Sequence, residues 1–115
     1  TLLTGLTPQM RIFHEEIFGP VAALMPFDTE EEAVALANDT EYGLASYVCT
    51  NHMPRVWRLF RNLQHGMAGV NDITLAAAET PFGGTKNSGL GREGGREGLL
   101  EYMETRYLLL GGLEG

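Results

Sequence analysis

Residues 44–70 read LASYVCTNHMPRVWRLFRNLQHGMAGV and contain two apolar runs that flank an amphipathic segment. The first run, residues 44–50, and the last, residues 67–70, predict strands. Between them apolar side chains recur at helical spacing, and Pro54 suits the first turn of a helix with Asn51 as its cap. Because this helix is long enough to cross over a sheet, the two strands are predicted to pair in parallel.

A further strand and helix precede this unit. Residues 21–27 form an apolar run that predicts a buried strand. Thr29, with Glu32 three residues later, fits a capping box and predicts the start of a helix, and Tyr42 and Gly43 predict a turn after it. The order strand, helix, strand, helix, strand predicts an α/β fold, in which crossover helices pack on a parallel sheet.

A glycine-rich run follows the sheet at residues 81–98 and reads PFGGTKNSGLGREGGREG. Phe82, Leu90 and two charge pairs interrupt the glycines, which favours an ordered loop over a flexible tether. Residues 89–94 match the dinucleotide-binding pattern G-x-G-x-x-G. They do not follow a strand that opens a crossover unit, so we reject a phosphate-binding role for them.

The end of the chain is predicted to contain a helix at residues 95–103 and an apolar strand at residues 105–110. A long apolar strand edge is an aggregation hazard unless another segment covers it. We therefore expect this strand to pair with another chain or another domain.

The composition limits the classes of function. The chain has 115 residues, enough for one small domain with a modest core. Its net charge of −7 argues against a nucleic-acid or anionic-membrane surface, since both require clustered Lys and Arg. No apolar run approaches the length of a membrane span. The sequence therefore predicts no nucleic-acid partner and no membrane partner.

Cys49 is the single cysteine, which excludes an intrachain disulfide and a Cys-rich zinc site. It lies between Val48 and Thr50 in a predicted strand and is expected to be buried as a small hydrophobic residue. One unpaired cysteine favours a reducing compartment, and we expect a cytoplasmic location. The three histidines are scattered, so no metal site is expected. Three arginines at helical spacing predict a solvated face or, alternatively, a subunit contact: Arg55, Arg58 and Arg61.

Three segments resemble the aldehyde dehydrogenase superfamily. Residues 15–20, EEIFGP, resemble its Glu-Glu-x-Phe-Gly-Pro segment, and residues 81–93 resemble its Pro-Phe-Gly-Gly-x-Lys-x-Ser-Gly-x-Gly-Arg-Glu segment. Residues 38–45, NDTEYGLA, lie between the two and also look like the family. Within the superfamily, residues 89–107 look most like succinate-semialdehyde dehydrogenases.

The resemblance implies a division of this chain into two parts. Residues 1–103 are similar to the end of the family's catalytic domain, and residues 104–115 to its oligomerisation strand and tail. The family's catalytic cysteine, its general-base glutamate and its cofactor-domain glycine turn lie upstream of such a segment, so no catalytic residue is expected here. The implied partners are the missing N-terminal part of the enzyme and a second copy, joined as a homo-oligomer through the C-terminal strand.

The resemblance also implies four site residues and a cofactor, NAD or NADP. Glu16 matches a glutamate that binds the nicotinamide ribose hydroxyls, and Phe18 an aromatic residue beside the nicotinamide; the alternatives are a solvated acid and a core aromatic. Phe82 matches an aromatic in the substrate tunnel, with core packing as the alternative. Ala76 stands where succinate-semialdehyde dehydrogenases usually carry a serine that helps hold the substrate carboxylate. A methyl group cannot donate that hydrogen bond, so this departure from the family pattern concerns the substrate and not the reaction class.

Two functions follow from these features. The first is a C-terminal fragment, inactive alone, of an NAD(P)-dependent aldehyde dehydrogenase that oxidises an aldehyde to a carboxylic acid, with succinate semialdehyde as the candidate substrate. The second is a non-catalytic oligomerisation or interaction module, indicated by the apolar residues 107–110.

Overall fold

The computed structural model of the chain describes residues 1–113 and residue 115. Two helices are two to three turns long, and the other elements are shorter. Among the described residues no helix has the length and apolar character that crossing a membrane requires. The elements, in chain order, are β1 (Leu2–Leu3), α1 (Arg11–His14), β2 (Ala22–Ala23), α2 (Glu30–Asn38), β3 (Tyr42–Gly43), β4 (Ala45–Val48), α3 (Met53–Asn62), β5 (Met67–Val70), β6 (Thr85–Lys86) and α4 (Glu97–Leu100).

Strands β4 and β5 pair in parallel, with α3 as the connection between them. Ala45 lies opposite Met67 and Val48 opposite Val70, so the register is continuous over both strands. The predicted α/β fold with parallel strands is therefore confirmed for this unit. Cys49 follows directly and is exposed. The prediction of a buried strand cysteine is wrong, because no described segment covers its side chain, just as the paired residue Tyr47 is left exposed.

The predicted strand at residues 21–27 is reduced to β2, and both of its residues are exposed. This strand pairs in parallel with β1 and not with the β4–β5 pair. The prediction of one sheet of three strands is therefore wrong for the described residues. The apolar pattern of residues 21–27 predicts burial, but no described segment covers β2. Tyr42 and Gly43, predicted as a turn, form β3 and pair with β6 in an antiparallel ladder.

Both long helices begin at a side-chain cap. The Oγ1 atom of Thr29 accepts from the backbone N–H of Glu32 at 3.1 Å, as the capping box predicts. The Glu32 carboxylate in turn accepts from the backbone N–H of Asp28. At α3 the predicted cap was one residue early: His52, not Asn51, accepts from the backbone N–H of Arg55, through its Nδ1 atom.

The C-terminal end has less regular structure than its sequence predicts. Helix α4 is shorter than the predicted helix at residues 95–103. Gly94 and Gly95, which precede its N-cap Arg96, have positive φ, and this interrupts helical geometry. Residues 105–110 form no strand and are exposed, since no described segment lies beside them to pair with. Their pairing with another chain stays a prediction.

The described residues bury little apolar surface. Leu6 and Met67 are the only buried hydrophobic side chains among them. The radius of gyration is 19.9 Å, whereas a compact domain of this length has about 13 Å. The chain's core is therefore smaller than the modest core that its length predicts, and its apolar side chains are mostly left without a packing partner.

Candidate functional site

Glu15 and Glu16 are adjacent but have different surroundings. The Glu15 carboxylate is held by Arg11 through two hydrogen bonds of 2.8 and 3.0 Å, and this hydrogen bonding lowers the pKa of Glu15. Among the described residues, no side-chain hydrogen bond or ion pair engages the Glu16 carboxylate. Of the two acids, Glu16 is therefore the one with acceptor oxygens free for a ligand.

Glu16 lines a cavity of about 460 Å³. His65 lines it too, and its Nδ1 atom is buried without a hydrogen-bond partner among the described residues. Burial lowers the pKa of His65, and the nearby charge of Lys86 adds to this effect. Sequence reasoning missed His65, because only the packing of the residues before β5 brings it to this cavity. The other lining residues are Phe13, His14, Glu15, Thr40, Tyr42, Gly43, Leu44, Ala45, Asn87 and Ser88.

Phe18 lies outside the lining of this cavity, and its side chain is 93% exposed. It follows Glu16 by two residues, at a turn where the N–H of Gly19 donates to the carbonyl of Ile17. The described residues leave the Phe18 ring uncovered, so it does not pack in a core within them. The ring is therefore available to a ligand or to a further segment of polypeptide.

Ala76 and Phe82 line a second cavity, of about 480 Å³. Its lining consists of residues 76–78, which are all alanine, together with Phe82, Glu93 and Gly94. We call residues 76–78 and Phe82 the alanine–phenylalanine wall. In the part of the chain that the structure describes, no hydroxyl group or cationic side chain lines this cavity. The structure thus brings the two predicted substrate residues together, whereas Glu16 and Phe18 lie in other places.

The glycine-rich run is an ordered loop. Phe82 and Glu93 exchange two backbone hydrogen bonds of 2.7 Å each, and the Arg92 guanidinium donates to the carbonyls of Gly84 and Gly91. A Cβ atom at Gly66 would collide with the carbonyl oxygen of Gly83. The loop therefore packs directly on the backbone that leads into β5.

Lys86, a residue that sequence reasoning did not single out, joins this loop to α2. Its Nζ atom donates to the carbonyls of Asn38 and Thr40 at 2.9 and 3.0 Å. These carbonyls lie at the C-terminal end of the helix, where a positive charge is favourable. The Asn38 side chain also bonds Asn62 and Gln64, so one cation and one amide tie the ends of α2 and α3 to β6.

The three arginines at helical spacing in α3, predicted as a solvated face or a subunit contact, are only partly solvated. The Glu30 carboxylate accepts from Arg58 at 2.7 and 2.8 Å and from Arg55 at 3.1 Å. The hydrogen bond from Arg58 is the largest cause that lowers the pKa of Glu30 to about 2. These pairs connect α2 with α3 at the surface, away from both cavities.

The sequence matches the aldehyde dehydrogenase family over residues 1–108. The chain belongs to this family. It is 51% identical over 113 residues to an aspartate-semialdehyde dehydrogenase (non-phosphorylating) of Halomonas elongata, a match that covers 98% of this chain and 23% of that protein. A 3-sulfolactaldehyde dehydrogenase of Pseudomonas putida is 51% identical over 114 residues, which are 99% of this chain and 24% of that protein.

Solved aldehyde dehydrogenase structures share the fold. The crystal structure of succinate-semialdehyde dehydrogenase from Burkholderia pseudomallei has a TM-score of 0.83 and 50% identity, and covers 88% of this chain and 21% of that one. The Mycobacterium tuberculosis aldehyde dehydrogenase, complexed with NAD⁺, has a TM-score of 0.82 and 44% identity over the same shares. The chain thus spans less than a quarter of the length of these relatives.

Proposed function

We propose that this chain is the C-terminal part of an NAD(P)-dependent aldehyde dehydrogenase, which oxidises an aldehyde to a carboxylic acid. The match to the family over residues 1–108 is the observation that carries the proposal. The scarcity of buried apolar side chains agrees with it, because a segment taken from within a larger fold leaves its packing faces uncovered.

The proposed substrate is a short aldehyde that carries an anionic group. Aspartate semialdehyde, succinate semialdehyde and 3-sulfolactaldehyde, the compounds in the names of relatives that are 48–51% identical to this chain, share this chemistry. The alanine–phenylalanine wall offers no side-chain donor to an anion. In this proposal the wall contacts the carbon chain of the substrate, and residues outside this chain hold the anionic group.

The proposed cofactor is NAD or NADP, which accepts a hydride when it is bound. The Glu16 carboxylate fits the ribose hydroxyls, because its oxygens are free to accept from two neighbouring O–H groups. Phe18, exposed two residues away, fits a face of the nicotinamide ring. Holding that ring in one orientation would contribute to the rate, since orientation is a large term in catalysis.

We propose further that the chain is inactive alone, that residues 1–103 complete a catalytic domain, and that residues 104–115 form an assembly strand. The test compares the isolated chain with the full-length protein that contains it, with succinate semialdehyde and either NAD⁺ or NADP⁺. We expect reduced nicotinamide to form only with the full-length protein. Oxidation by the isolated chain would contradict its inactivity, and a full-length protein without aldehyde oxidation would contradict the proposed function.

A non-catalytic oligomerisation module is the second candidate. The observation in its favour is the uncovered row of apolar side chains at residues 107–110, of which Tyr107 is 86% exposed. Size-exclusion chromatography with light scattering on the isolated chain tests it. A defined oligomer favours the module, and a soluble monomer counts against it.

A further inference from the structure

Asn71 closes the end of the β4–β5 pair with its side chain. Its Oδ1 atom accepts from the backbone N–H of Thr50 at 2.9 Å, and its Nδ2 atom donates to the carbonyl of the same residue at 2.8 Å. The backbone N–H of Asn71 donates to Val48. The side-chain amide therefore replaces a backbone partner for Thr50 and continues the hydrogen bonding beyond the last paired residues of β4 and β5. We call these two bonds the Asn71 clamp.

The chain reverses direction at this point. Asn71 has a φ of 56°, in the left-handed region that asparagine tolerates better than most residues. The carbonyl of Asp72 comes so close to Gly69 that a Cβ atom there would collide with it. Asp72 then accepts from the N–H of Thr74 at 2.8 Å, and this backbone hydrogen bond lowers the pKa of Asp72. The segment after β5 thus leaves the strand in one defined direction.

That segment carries the alanine–phenylalanine wall and is attached again at its far end. The N–H of Gly95 donates to the carbonyl of Ala78 at 2.9 Å, and Phe82 is paired with Glu93. Between the clamp and these bonds, residues 72–77 make only short-range hydrogen bonds within the described chain. The wall is therefore held at two places, one of which is the Asn71 side chain.

We infer that Asn71 is a positioning residue for the substrate: the clamp sets where Ala76 stands relative to Phe82, and so the width of the wall's cavity. The inference rests on the proposed function for its substrate, though not for its geometry. Asn71 itself touches neither cavity, because it is absent from the lining of both. Loss of the clamp should therefore weaken binding of the aldehyde and leave the cavity lined by Glu16 unchanged.

The test uses three variants of the full-length protein that contains this chain. Asn71→Gly keeps the left-handed backbone and removes both clamp bonds. Asn71→Asp keeps the acceptor and loses the donor. Asn62→Ala is the matched control, because that amide also bonds a backbone carbonyl, Arg58, but does not hold the wall.

We expect Asn71→Gly to raise KM for succinate semialdehyde about tenfold, because a displaced wall contacts the substrate less well, with KM for NAD⁺ unchanged. The KM of Asn71→Asp for the aldehyde should lie between the values of Asn71→Gly and the unmodified protein. The KM of Asn62→Ala should equal that of the unmodified protein. An unchanged KM for the aldehyde in Asn71→Gly, or an equal rise for NAD⁺, would overturn the inference.

Hydrogen–deuterium exchange tests the clamp in the same variants by a measurement that does not depend on enzyme activity. We expect exchange over residues 72–78 to become about tenfold faster in Asn71→Gly, with residues 85–86 of β6 unchanged. Unchanged exchange over residues 72–78 would overturn the clamp, whatever the kinetics show. If the clamp behaves as expected while the unmodified protein oxidises no aldehyde, the proposed function and the substrate role of Asn71 both fail.

Discussion

The β4–α3–β5 unit and residues 101–113 are both rich in apolar side chains, yet only the first has a defined internal structure. In the first, Met67 and Gly69 of β5 are buried, and capped helix α3 connects the two paired strands. In the second, every residue is exposed, and Leu109 is 78% exposed. The difference shows that apolar pattern alone does not produce a strand; a segment that can pair with it must also be near.

The largest effect on stability is expected where the glycine-rich loop meets the β4–α3–β5 unit. Gly66→Ala places a Cβ atom against the carbonyl of Gly83 and within 2.8 Å of the Cα of Gly84. Both neighbours are backbone atoms, so the loop must move. We expect a loss of about 3 kcal/mol or more in the free energy of unfolding, measured by urea denaturation of the full-length protein.

Gly111→Ala is the matched control in the C-terminal segment, because none of the described residues comes within 4 Å of a Cβ atom there. It should leave the free energy of unfolding unchanged. Equal effects of the two substitutions would contradict the contrast between the two regions.

A smaller effect is expected at Lys86, which bonds the carbonyls at the end of α2. Lys86→Met keeps the length of the side chain and removes both hydrogen bonds. We expect a loss of about 1–2 kcal/mol in the free energy of unfolding, since the group is exposed to solvent. Arg106→Met in the C-terminal segment removes an exposed cation without such bonds and should have no effect. An unchanged free energy of unfolding in Lys86→Met would show that this cation does not stabilise the helix end.

Lowering the pH should release the attachment of α2 to α3 at Glu30. Its pKa is about 2 in the folded chain, below the ordinary value of 4.5. Because the unfolded chain binds the proton at the higher pH, the ion pair contributes fully above about 4.5 and is lost as the pH falls toward about 2.

Glu30→Gln should flatten the dependence of stability on pH below 4.5, the ordinary pKa of this carboxyl. The measurement is urea denaturation at a series of pH values. A pH dependence that survives in Glu30→Gln would assign the acid sensitivity to other carboxyls.

The smallest effect on stability is expected in the C-terminal segment. Leu109→Lys removes one apolar side chain from a row that is already exposed, and should change the free energy of unfolding of a protomer by less than about 0.5 kcal/mol. If residues 105–110 pair with another chain, the same substitution should dissociate the assembly in light scattering. An assembly that keeps its mass would contradict the proposed role of this strand.

Local sequence predicted the features that depend on neighbours in the chain. Thr29 with Glu32 predicted the start of α2, and residues 67–70 predicted β5 with both of its ends. The family motifs at residues 15–20 and 81–93 predicted the membership that residues 1–108 confirm. The roles of Glu16, Phe18, Phe82 and Ala76 stay predictions.

Local sequence could not predict the features that depend on residues distant in the chain. Tyr42 and Gly43 have the composition of a turn, but their pairing with β6 depends on residues more than forty positions away. Cys49 has the neighbours of a strand residue, and its exposure is set by which other segments cover its side chain. His52 replaced Asn51 as the cap because the backbone conformation, and not residue preference, selected it.

The sequence by itself determined the family, the α/β class and the parallel pairing around α3, because motifs, helix caps and apolar periodicity are local. Only the tertiary structure decided which side chains come together: Ala76 and Phe82 line one cavity, Lys86 bonds a carbonyl at the end of α2, and the Asn71 amide bonds Thr50. These contacts follow from the way the glycine-rich loop and the segment after β5 pack on the β4–α3–β5 unit and on the end of α2. The spacing of residues along the chain does not encode that geometry.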